Sequence, residues 1–596
     1  MPKVILLGAG MAGLAAAHEL LQRGYAVEMY EMRAVAGGKA RSTTPPPAVP
    51  GGGPGLPNEH GFRFFPAFYR HIDDTMSRIP VGNATVAASF VQATEITLAT
   101  PGEPPIKLPA RLPAPGDLKG FLKTLKQLLQ NPALPMPDDE KLFFLRKLIC
   151  LFVSGQDRRF AAYDLIAWSD FIEANGKSQG YRDLLANGLT RSLVAMQPEH
   201  GSTLTVGTIL IQVLLDILDP AKQADRVLNG PTSEVWIEPW MRHLRNLGGL
   251  TEHFGQEVTG LTFDGARITS ATVRDGGGNE TQVGSGADHF VCALPLEVMQ
   301  RLLQNDPQGI KAAAGMAGID NLQTRWMNGV LFYLNKEVGA SHGHVIYVKS
   351  PWALTSIPQQ QFWRHGGREI ATSYGDGQVR DILSVIVSEW EQPGQTVLKK
   401  AKETDNAQEI FTEVWERLKE HHAAWPGVEL QDADLVAPWL DPAIQGFGAI
   451  PLTNSEPLLV NVVGSHKNRP EAVTGIPNFF IASDYVRTFT DLATMEAANE
   501  AGRRAVEGIL DVDDPGKAKS RPAIFPLDEP DFFRVLQELD DLDFAPYRNN
   551  PAAAPPPRIC QLTAILPLQE LGDLIDEGAD IFGFFGSAFP LSKLKK

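Results

Sequence analysis

The feature that most constrains the fold is an apolar run at the start of the chain, followed at once by three spaced glycines. Residues 4–7 predict a buried strand, and Gly8, Gly10 and Gly13 form the pattern GxGxxG. Glycine at these positions permits a tight turn, lets the backbone approach a pyrophosphate and lets the next helix pack closely on the strand. The pattern therefore predicts a strand–helix unit that holds a dinucleotide at a helix N-terminus.

An acidic residue ends the second predicted strand, which covers residues 26–30. Glu31 lies about 20 residues after the glycines, the separation at which a carboxylate accepts hydrogen bonds from the ribose hydroxyls of a dinucleotide. A lone GxGxxG is a weak signal, but here the strand, the helix and the acid accompany it. The chain is therefore expected to bind a nucleotide cofactor.

A second glycine pair follows Glu31 and narrows the choice of cofactor. Gly37 and Gly38 lead into the cationic residues Lys39 and Arg41. This pattern resembles the second glycine signature of FAD-dependent amine oxidases and phytoene desaturases, whose loop lies along the pyrophosphate and ribityl chain. The alternative interpretation is a solvated basic loop after an ordinary NAD-binding unit.

Two distant segments are similar to the same superfamily. Residues 475–484 form an apolar run ending in Asp484, and a helix-like pattern covers residues 493–510. In that family the acid holds the ribityl and phosphate region. The N-terminus of the following helix, matched here by Met495 and Glu496, faces the pyrimidine ring of the flavin, where its dipole stabilises negative charge.

A third segment, residues 58–74, is similar to the flavin-proximal loop of plant-type and cyanobacterial phytoene desaturases. The resemblance places residues 61–65 beside the isoalloxazine and Val258 against the adenine through its backbone. The residues that it implies for cofactor binding are Gly8, Gly10, Met11, Ala12, Gly13, Glu31, Met32, Arg33, Gly37, Gly38, Lys39, Ala40, Arg41, Gly61, Phe62, Arg63, Phe64, Val258, Asp484, Met495 and Glu496.

The resemblance implies an α/β fold in which a Rossmann-type FAD-binding domain of the GR2 type is interleaved with a substrate domain of mixed sheet and helices. The FAD-binding domain is expected to comprise residues 1–80, 226–305 and 470–512, and the substrate domain residues 81–225 and 306–469. Residues 513–596 are expected to form a C-terminal extension with a proline-rich linker and an amphipathic segment.

Charge and cysteine usage limit the possible partners. The net charge of −16 argues against nucleic acid as a principal partner, because phosphate binding depends on clustered Lys and Arg. Cys150, Cys292 and Cys560 have no metal-binding spacing, so we expect three reduced thiols in a cytoplasmic protein and no metal site. Some amine oxidases tether FAD through a cysteine before the last flavin strand. Residues 464–474 contain none, so noncovalent FAD is expected.

The tail leaves two interpretations open. No apolar run approaches the length of a membrane span, but residues 559–594 are rich in leucine, isoleucine and phenylalanine and are followed by Lys595 and Lys596. Such a segment could bind a bilayer as a peripheral contact, or it could pack on its own protein or a partner. Glycines at 578, 583 and 586 blur the amphipathic pattern and favour packing.

The resemblance is closest to the phytoene desaturase-like branch, which includes carotenoid and squalene desaturases and hydroxysqualene dehydroxylases. It implies an FAD-dependent desaturase or dehydrogenase that passes hydride from a hydrophobic isoprenoid, carotenoid or polyene to flavin N5, with a quinone or oxygen as electron acceptor. The alternatives are an amine or amino-acid oxidase, a non-redox lipid isomerase or dehydroxylase, and a flavoprotein that acts through partners. Candidate catalytic groups are Arg63, Tyr69, Arg325 and Tyr485, with His60 as a further proton-carrying group.

Overall fold

The computed structural model describes residues 3–43, 55–61, 63–114, 116–449, 451–516 and 518–576. A five-stranded parallel sheet gathers widely separated parts of this chain. In spatial order its strands are Leu250–Phe254, Ala26–Glu31, Lys3–Leu7, His289–Cys292 and Phe479–Ile481. The central strand Lys3–Leu7 is an unbroken apolar run after its lysine because a parallel sheet is covered on both faces.

Two helices pack closely against each other over this sheet. Met11–Gln22 follows the first strand, and Met495–Asp513 follows the last one. Small residues allow the approach, since a side chain at Gly502 would meet Ala12 and Ala15 of the first helix. The α/β fold class is therefore confirmed. In its Rossmann-type unit, the helix after the first strand and the helix after the last strand are in direct contact.

A larger mixed sheet of seven strands forms the second layer. Its spatial order is Leu435–Leu440, Asn328–Leu334, Asp381–Val387, Leu354–Pro358, Val345–Tyr347, Glu95–Ala99 and Ile106–Pro109. All neighbouring pairs are antiparallel except Val345–Tyr347 with Glu95–Ala99, which is parallel. The two seven-residue strands at its centre are buried along their whole length, as expected for continuous runs of β-branched and aromatic residues.

A helical layer shares an apolar core of its own, and its members are Leu118–Leu129, Asp138–Val153, Gln156–Ala161, Trp168–Phe171, Gln179–Tyr181, Leu189–Val194 and Thr203–Leu218. The remaining α-helices are Arg70–Ser77, Glu238–Leu247, Leu296–Leu302, Ile310–Ala313, Gln360–Trp363, Ile370–Ser373, Ala407–His422, Asp531–Phe544, Arg558–Ile565 and Leu568–Asp576. The remaining strands are Ser42–Thr43, Asn58–Glu59, Pro80–Val81, Ala84–Thr85, Phe90–Gln92, Arg226–Leu228, Glu257–Phe263, Ile268–Arg274, Glu280–Val283, Gln323–Arg325, Ile444–Gln445, Thr453–Asn454 and Leu458–Val460. Within the described ranges, none of the helices is both long and apolar enough to cross a membrane.

The C-terminal helices lie on the helical layer and overturn one expectation about the cysteines. Cys150 on Asp138–Val153 and Cys560 on Arg558–Ile565 form a disulfide, so the prediction of three reduced thiols is wrong for these two, and Cys292 is a free, buried thiol. The sequence could not reveal the pair, because its members are 410 residues apart and only helix packing brings them together.

The described part of the tail packs on the protein. Leu571 and Ile575 are buried, and the Lys126 ammonium donates hydrogen bonds to the Gly572 carbonyl at 2.8 Å and to the Asp576 carboxylate at 2.7 Å. Packing is thus the observed state of residues 558–576. The rest of the predicted amphipathic segment, including its terminal lysines, lies outside the described residues.

Candidate active site

A cavity of about 1160 Å³ extends from the carboxyl ends of the parallel strands to the helical layer. One end is lined by Gly8, Gly10, Glu31 and Gly38, where a doubly wound sheet binds its ligands. The other end is lined mainly by leucines, isoleucines and valines of the helices and of the mixed sheet, with Asp183, Asn187 and Arg191 among the polar residues. The site therefore has a polar half and an apolar half in one continuous space.

The two glycine loops form a cradle in which side chains have no room. A Cβ atom at Gly13 would lie 2.1 Å from the Gly8 carbonyl oxygen, so the helix can sit on the strand only with glycine there. A Cβ at Gly38 would lie 2.9 Å from the Gly10 Cα. At Gly10, the Gly38 Cα is the one atom of other described segments within 4 Å of such a Cβ, because this position faces the cavity.

Backbone amides hold the Glu31 carboxylate at the end of its strand. One oxygen accepts from the Ala9 N–H at 2.9 Å and the other from the Arg33 N–H at 2.9 Å. Glu31 also lines the cavity next to the glycine cradle. The carboxylate is thus fixed before any ligand arrives, as a ribose-binding group requires.

We expect Glu31→Ala to weaken FAD binding by about 10- to 100-fold, the equivalent of losing hydrogen bonds from a charged acceptor. Equilibrium titration of the apoprotein with FAD, followed by flavin fluorescence, measures the effect. Glu28→Ala is the matched control, because Glu28 lies on the same strand but pairs with Lys3 at 3.0 Å outside the cavity. Equal FAD affinity in the two variants would remove Glu31 from the site.

The last strand leads into a loop that reaches the cavity with Ser483 and Asp484. The loop ends at Thr494, whose hydroxyl accepts from the Ala497 N–H at 3.1 Å and caps the helix Met495–Asp513. Residues 492–495 line the cavity at this helix start. The positive end of the helix dipole is therefore directed at the cavity wall.

A buried arginine fixes the path of this loop. The Arg469 guanidinium donates to the backbone carbonyls of Asp484 at 2.7 Å, Tyr485 at 3.1 Å and Val486 at 2.7 Å, and to the Asp491 carboxylate at 2.6 Å. Burial alone would raise the pKa of Asp491, but the Arg469 charge and a hydrogen bond from His466 lower it to about 2. The loop therefore carries a permanent ion pair at its base.

A second polar cluster lies where the glycine cradle meets the mixed sheet. His60 Nδ1 is 2.5 Å from the Asp441 carboxylate, and the Glu456 carboxylate lies next to them and pairs with both Arg33 and Arg41. Ligand atoms of the three residues His60, Asp441 and Glu456 lie within 4.8 Å of one another. The two guanidinium groups already balance the Glu456 charge, so the cluster is organised as an ion-pair network.

A histidine of the cavity wall pairs with a buried aspartate behind it, and the sequence reasoning missed both residues. His344 Nδ1 is 2.9 Å from an Asp225 carboxylate oxygen, and the pair is buried. The His344 ring also meets the Phe64 ring edge to face, with 5.4 Å between centroids. The two residues are 119 positions apart with no local motif, so the sequence carried no signal for this pair.

Comparison with known proteins decides the family. The model of the family described as flavin containing amine oxidoreductase matches residues 11–510. The chain belongs to this family. This flavoenzyme is an oxidoreductase with FAD as its cofactor, and the glycine cradle, the fixed Glu31 carboxylate and the capped helix N-terminus fit that group.

Relatives of the flavoenzyme include carotenoid desaturases. It is 23% identical over 536 residues to a zeta-carotene desaturase of Synechocystis, and the aligned region covers 85% of this chain and 97% of the relative. It is 21% identical over 526 residues to a 15-cis-phytoene desaturase of an Oncidium hybrid cultivar, covering 85% and 78%. The solved structure of cyclohexylamine oxidase from Brevibacterium oxydans has the same fold, with a TM-score of 0.52, 16% identity, and coverage of 86% and 99%.

Most residues predicted to bind the cofactor line the cavity of the flavoenzyme. These are Gly8, Gly10, Met11, Ala12, Glu31, Met32, Arg33, Gly37, Gly38, Lys39, Ala40, Gly61, Arg63, Phe64, Val258, Asp484 and Met495. Phe62 lies outside the described residues.

Three of the predicted cofactor residues do not reach the cavity, and each has another role. Gly13 packs against Gly8, and Arg41 donates to the Gly38 carbonyl at 2.7 Å and pairs with Glu456. Glu496 instead accepts the backbone N–H groups of residues 71 and 72 at the start of a neighbouring helix, so its prediction as a cofactor contact is corrected. All three support the site from behind.

The catalytic candidates also divide. Arg63 and Tyr69 line the cavity, and burial raises the pKa of the Tyr69 hydroxyl, which keeps it protonated. Arg325 is exposed and donates to the neighbouring Thr324 carbonyl, whereas Tyr485 is fully buried in the core behind the loop. Neither lines the cavity, so the structure does not support Arg325 or Tyr485 as catalytic groups.

Proposed function

We propose that this flavoenzyme is a desaturase or dehydrogenase of a hydrophobic isoprenoid, carotenoid or polyene-like substrate. The observation that carries the proposal is the apolar half of the cavity. Its wall comprises Leu128, Leu129, Leu134, Met136, Phe144, Leu148, Ile209, Leu210, Val213, Leu214 and Ile217 from the helical layer, and Ile96, Leu98, Leu108 and Ile346 from the mixed sheet. An extended hydrocarbon would bury its length there by the hydrophobic effect.

The composition of the wall separates this substrate class from small polar ones. A primary amine or amino acid needs charged or hydrogen-bonding groups that fix its ammonium or carboxylate. The helix Thr203–Leu218 instead presents to the cavity one face of five apolar residues between positions 209 and 217, and this face supplies no such group. The similarity to carotenoid desaturases over 85% of the chain supports the same substrate class.

The chain's own residues divide the remaining tasks. Glu31 and the glycine cradle would hold the nucleotide end of FAD, and Asp484 with the start of Met495–Asp513 would hold its other end. Bound FAD supplies a hydride acceptor. The apolar wall excludes water and holds the hydrocarbon at the junction between the two halves, beside Gly61, Arg63 and Phe64.

Noncovalent FAD, the electron acceptor and any membrane contact complete the proposal. Cys292 is buried and does not line the cavity, and Cys150 and Cys560 are paired with each other. No cysteine of the cavity lining is therefore available for a flavin tether. A quinone or oxygen would reoxidise the flavin, and residues 577–596 would make any peripheral membrane contact.

Anaerobic bleaching of the long-wavelength flavin band tests the proposal. The FAD-loaded enzyme is mixed in turn with squalene, phytoene and zeta-carotene in detergent micelles, and separately with cyclohexylamine, putrescine and amino acids. We expect bleaching by at least one of the lipids and by none of the amines. Bleaching by amines alone would assign the enzyme to the oxidase class, and no bleaching by a lipid that the enzyme isomerises would assign non-redox lipid chemistry.

A variant with a blocked apolar half makes this test specific to the cavity. Val213→Trp places an indole in the apolar half of the cavity. We expect it to keep FAD and its reduction by dithionite but to lose bleaching by the lipid. Bleaching of this variant at the wild-type rate would show that the lipid reacts elsewhere.

A further inference from the structure

We propose that His344, held by Asp225, is the catalytic base that takes the proton of the substrate when flavin takes the hydride. The inference rests on the proposed function, because it assigns the second half of a carbon–hydrogen oxidation. One C–H bond of the substrate breaks as a hydride that goes to FAD. The C–H bond of the neighbouring carbon gives its electron pair to the new double bond and its proton to His344 Nε2.

The location of His344 follows from three contacts around the loop that carries Phe64. At the start of the loop, the His60 carbonyl accepts the Gly329 N–H of the mixed sheet at 2.8 Å. Three residues later, the Arg63 guanidinium lies 3.4 Å from the Lys39 carbonyl in the glycine cradle. The next residue, Phe64, meets the His344 ring. This loop joins the two halves of the cavity, and His344 lies on its apolar side.

The pairing with Asp225 selects one tautomer of the imidazole. Asp225 is 1% exposed and lies 2.9 Å from Nδ1, so the carboxylate accepts the Nδ1–H. In this tautomer Nε2 is the proton-accepting nitrogen, and the carboxylate stabilises the imidazolium that proton uptake forms. The His344 ring lines the cavity, and its backbone carbonyl accepts the Thr97 N–H at 2.9 Å, which fixes its position at the start of a strand.

The other polar groups at the junction are poorer proton acceptors. Arg63 is already a cation, and Tyr69 keeps its proton because burial raises its pKa. Burial lowers the pKa of His60 more than its hydrogen bond and ion pair with Asp441 raise it, and the charges of Arg63 and Lys39 also lower it. His60 also belongs to the ion-pair network around Glu456. His344 is the histidine of the cavity lining that lies beside Phe64.

The experiment combines flavin reduction with the tautomer of His344. His344→Gln and Asp225→Asn are compared with the matched control His342→Gln. His342 precedes His344 by two residues, and its ring packs on Phe362 and does not line the cavity. The rate of anaerobic flavin reduction is measured with whichever substrate bleaches the wild-type enzyme. We expect falls of about 100-fold or more in the first two variants, as for loss of a general base, with unchanged FAD content and unchanged rates in the control.

An NMR measurement that needs no substrate tests this inference independently of the proposed function. In ¹⁵N-histidine NMR spectra, the signal missing from His344→Gln should have the Nδ1–H pattern in the wild type and lose it in Asp225→Asn. If only amines bleach the flavin, the proposed substrate class is wrong. The rates of flavin reduction by that amine in the variants still test the role of His344. An Nε2–H pattern for His344 in the wild type, or wild-type reduction rates in His344→Gln, would contradict the assignment of His344 as the base.

Discussion

Arg469→Met is expected to lower the free energy of unfolding by about 3–5 kcal/mol and to release FAD from most of the protein. The substitution removes the side chain that joins three carbonyls of the 483–494 loop to Asp491. It also leaves the Asp491 carboxylate buried without its cation, which is the costly way to break a buried ion pair. Urea denaturation of the apoprotein and FAD titration measure the two effects.

Arg487→Met is the control for this prediction. Arg487 belongs to the same loop but lies near the surface and pairs with the exposed Glu471. Its loss should therefore lower the free energy of unfolding by less than about 1 kcal/mol. The double variant Arg469→Met/Asp491→Asn should recover part of the lost stability, since removing both charges is less costly than removing one. If Arg469→Met binds FAD as tightly as the control does, the ion pair does not shape the cofactor loop.

Gly10→Ala and Gly13→Ala are expected to abolish FAD binding for different reasons. A methyl group at Gly13 meets the Gly8 carbonyl at 2.1 Å, so the helix Met11–Gln22 must move and stability should fall by about 1–3 kcal/mol. A methyl group at Gly10 has only the Gly38 Cα nearby, at 3.8 Å, and projects into the cradle. The first variant should therefore lose stability and FAD together, and the second FAD alone.

Two measurements on the apoproteins distinguish these outcomes. Urea denaturation should place Gly10→Ala within about 0.5 kcal/mol of the wild type, as for a substitution in open space. FAD titration should then show an affinity at least tenfold weaker. A Gly10→Ala protein that binds FAD normally would contradict the assignment of the cradle to the pyrophosphate.

Local signals account for what the sequence could predict. The strand, the spaced glycines and Glu31 lie within one short stretch, and their geometry depends only on neighbouring residues. Asp484 was predicted from the family resemblance of the segment that contains it, and the structure places it in the cavity lining. The apolar runs of the mixed sheet indicated buried strands in the same way, although their order in the sheet could not be derived from the runs themselves.

The errors arose where orientation or long-range pairing decides. Met495 and Glu496 are adjacent in a helix of 3.6 residues per turn, so only one of them faces the cavity. In the turn after the last strand, Asp484 lines the cavity whereas Tyr485 is buried in the core, a difference that adjacent positions in the sequence do not reveal. The His344–Asp225 pair and the disulfide depend on the packing of distant segments, which no single-sequence pattern records.

The order of strands in the parallel sheet has a consequence for biosynthesis. Lys3–Leu7 is made first, but its neighbour His289–Cys292 follows only about halfway along the chain and the edge strand Phe479–Ile481 about four-fifths along it. At about 5–20 residues per second, this delay lasts on the order of tens of seconds. During this time the glycine loop of the nascent chain lacks the later strands that complete the site. We therefore expect FAD to bind in the last stage of synthesis or to the completed chain.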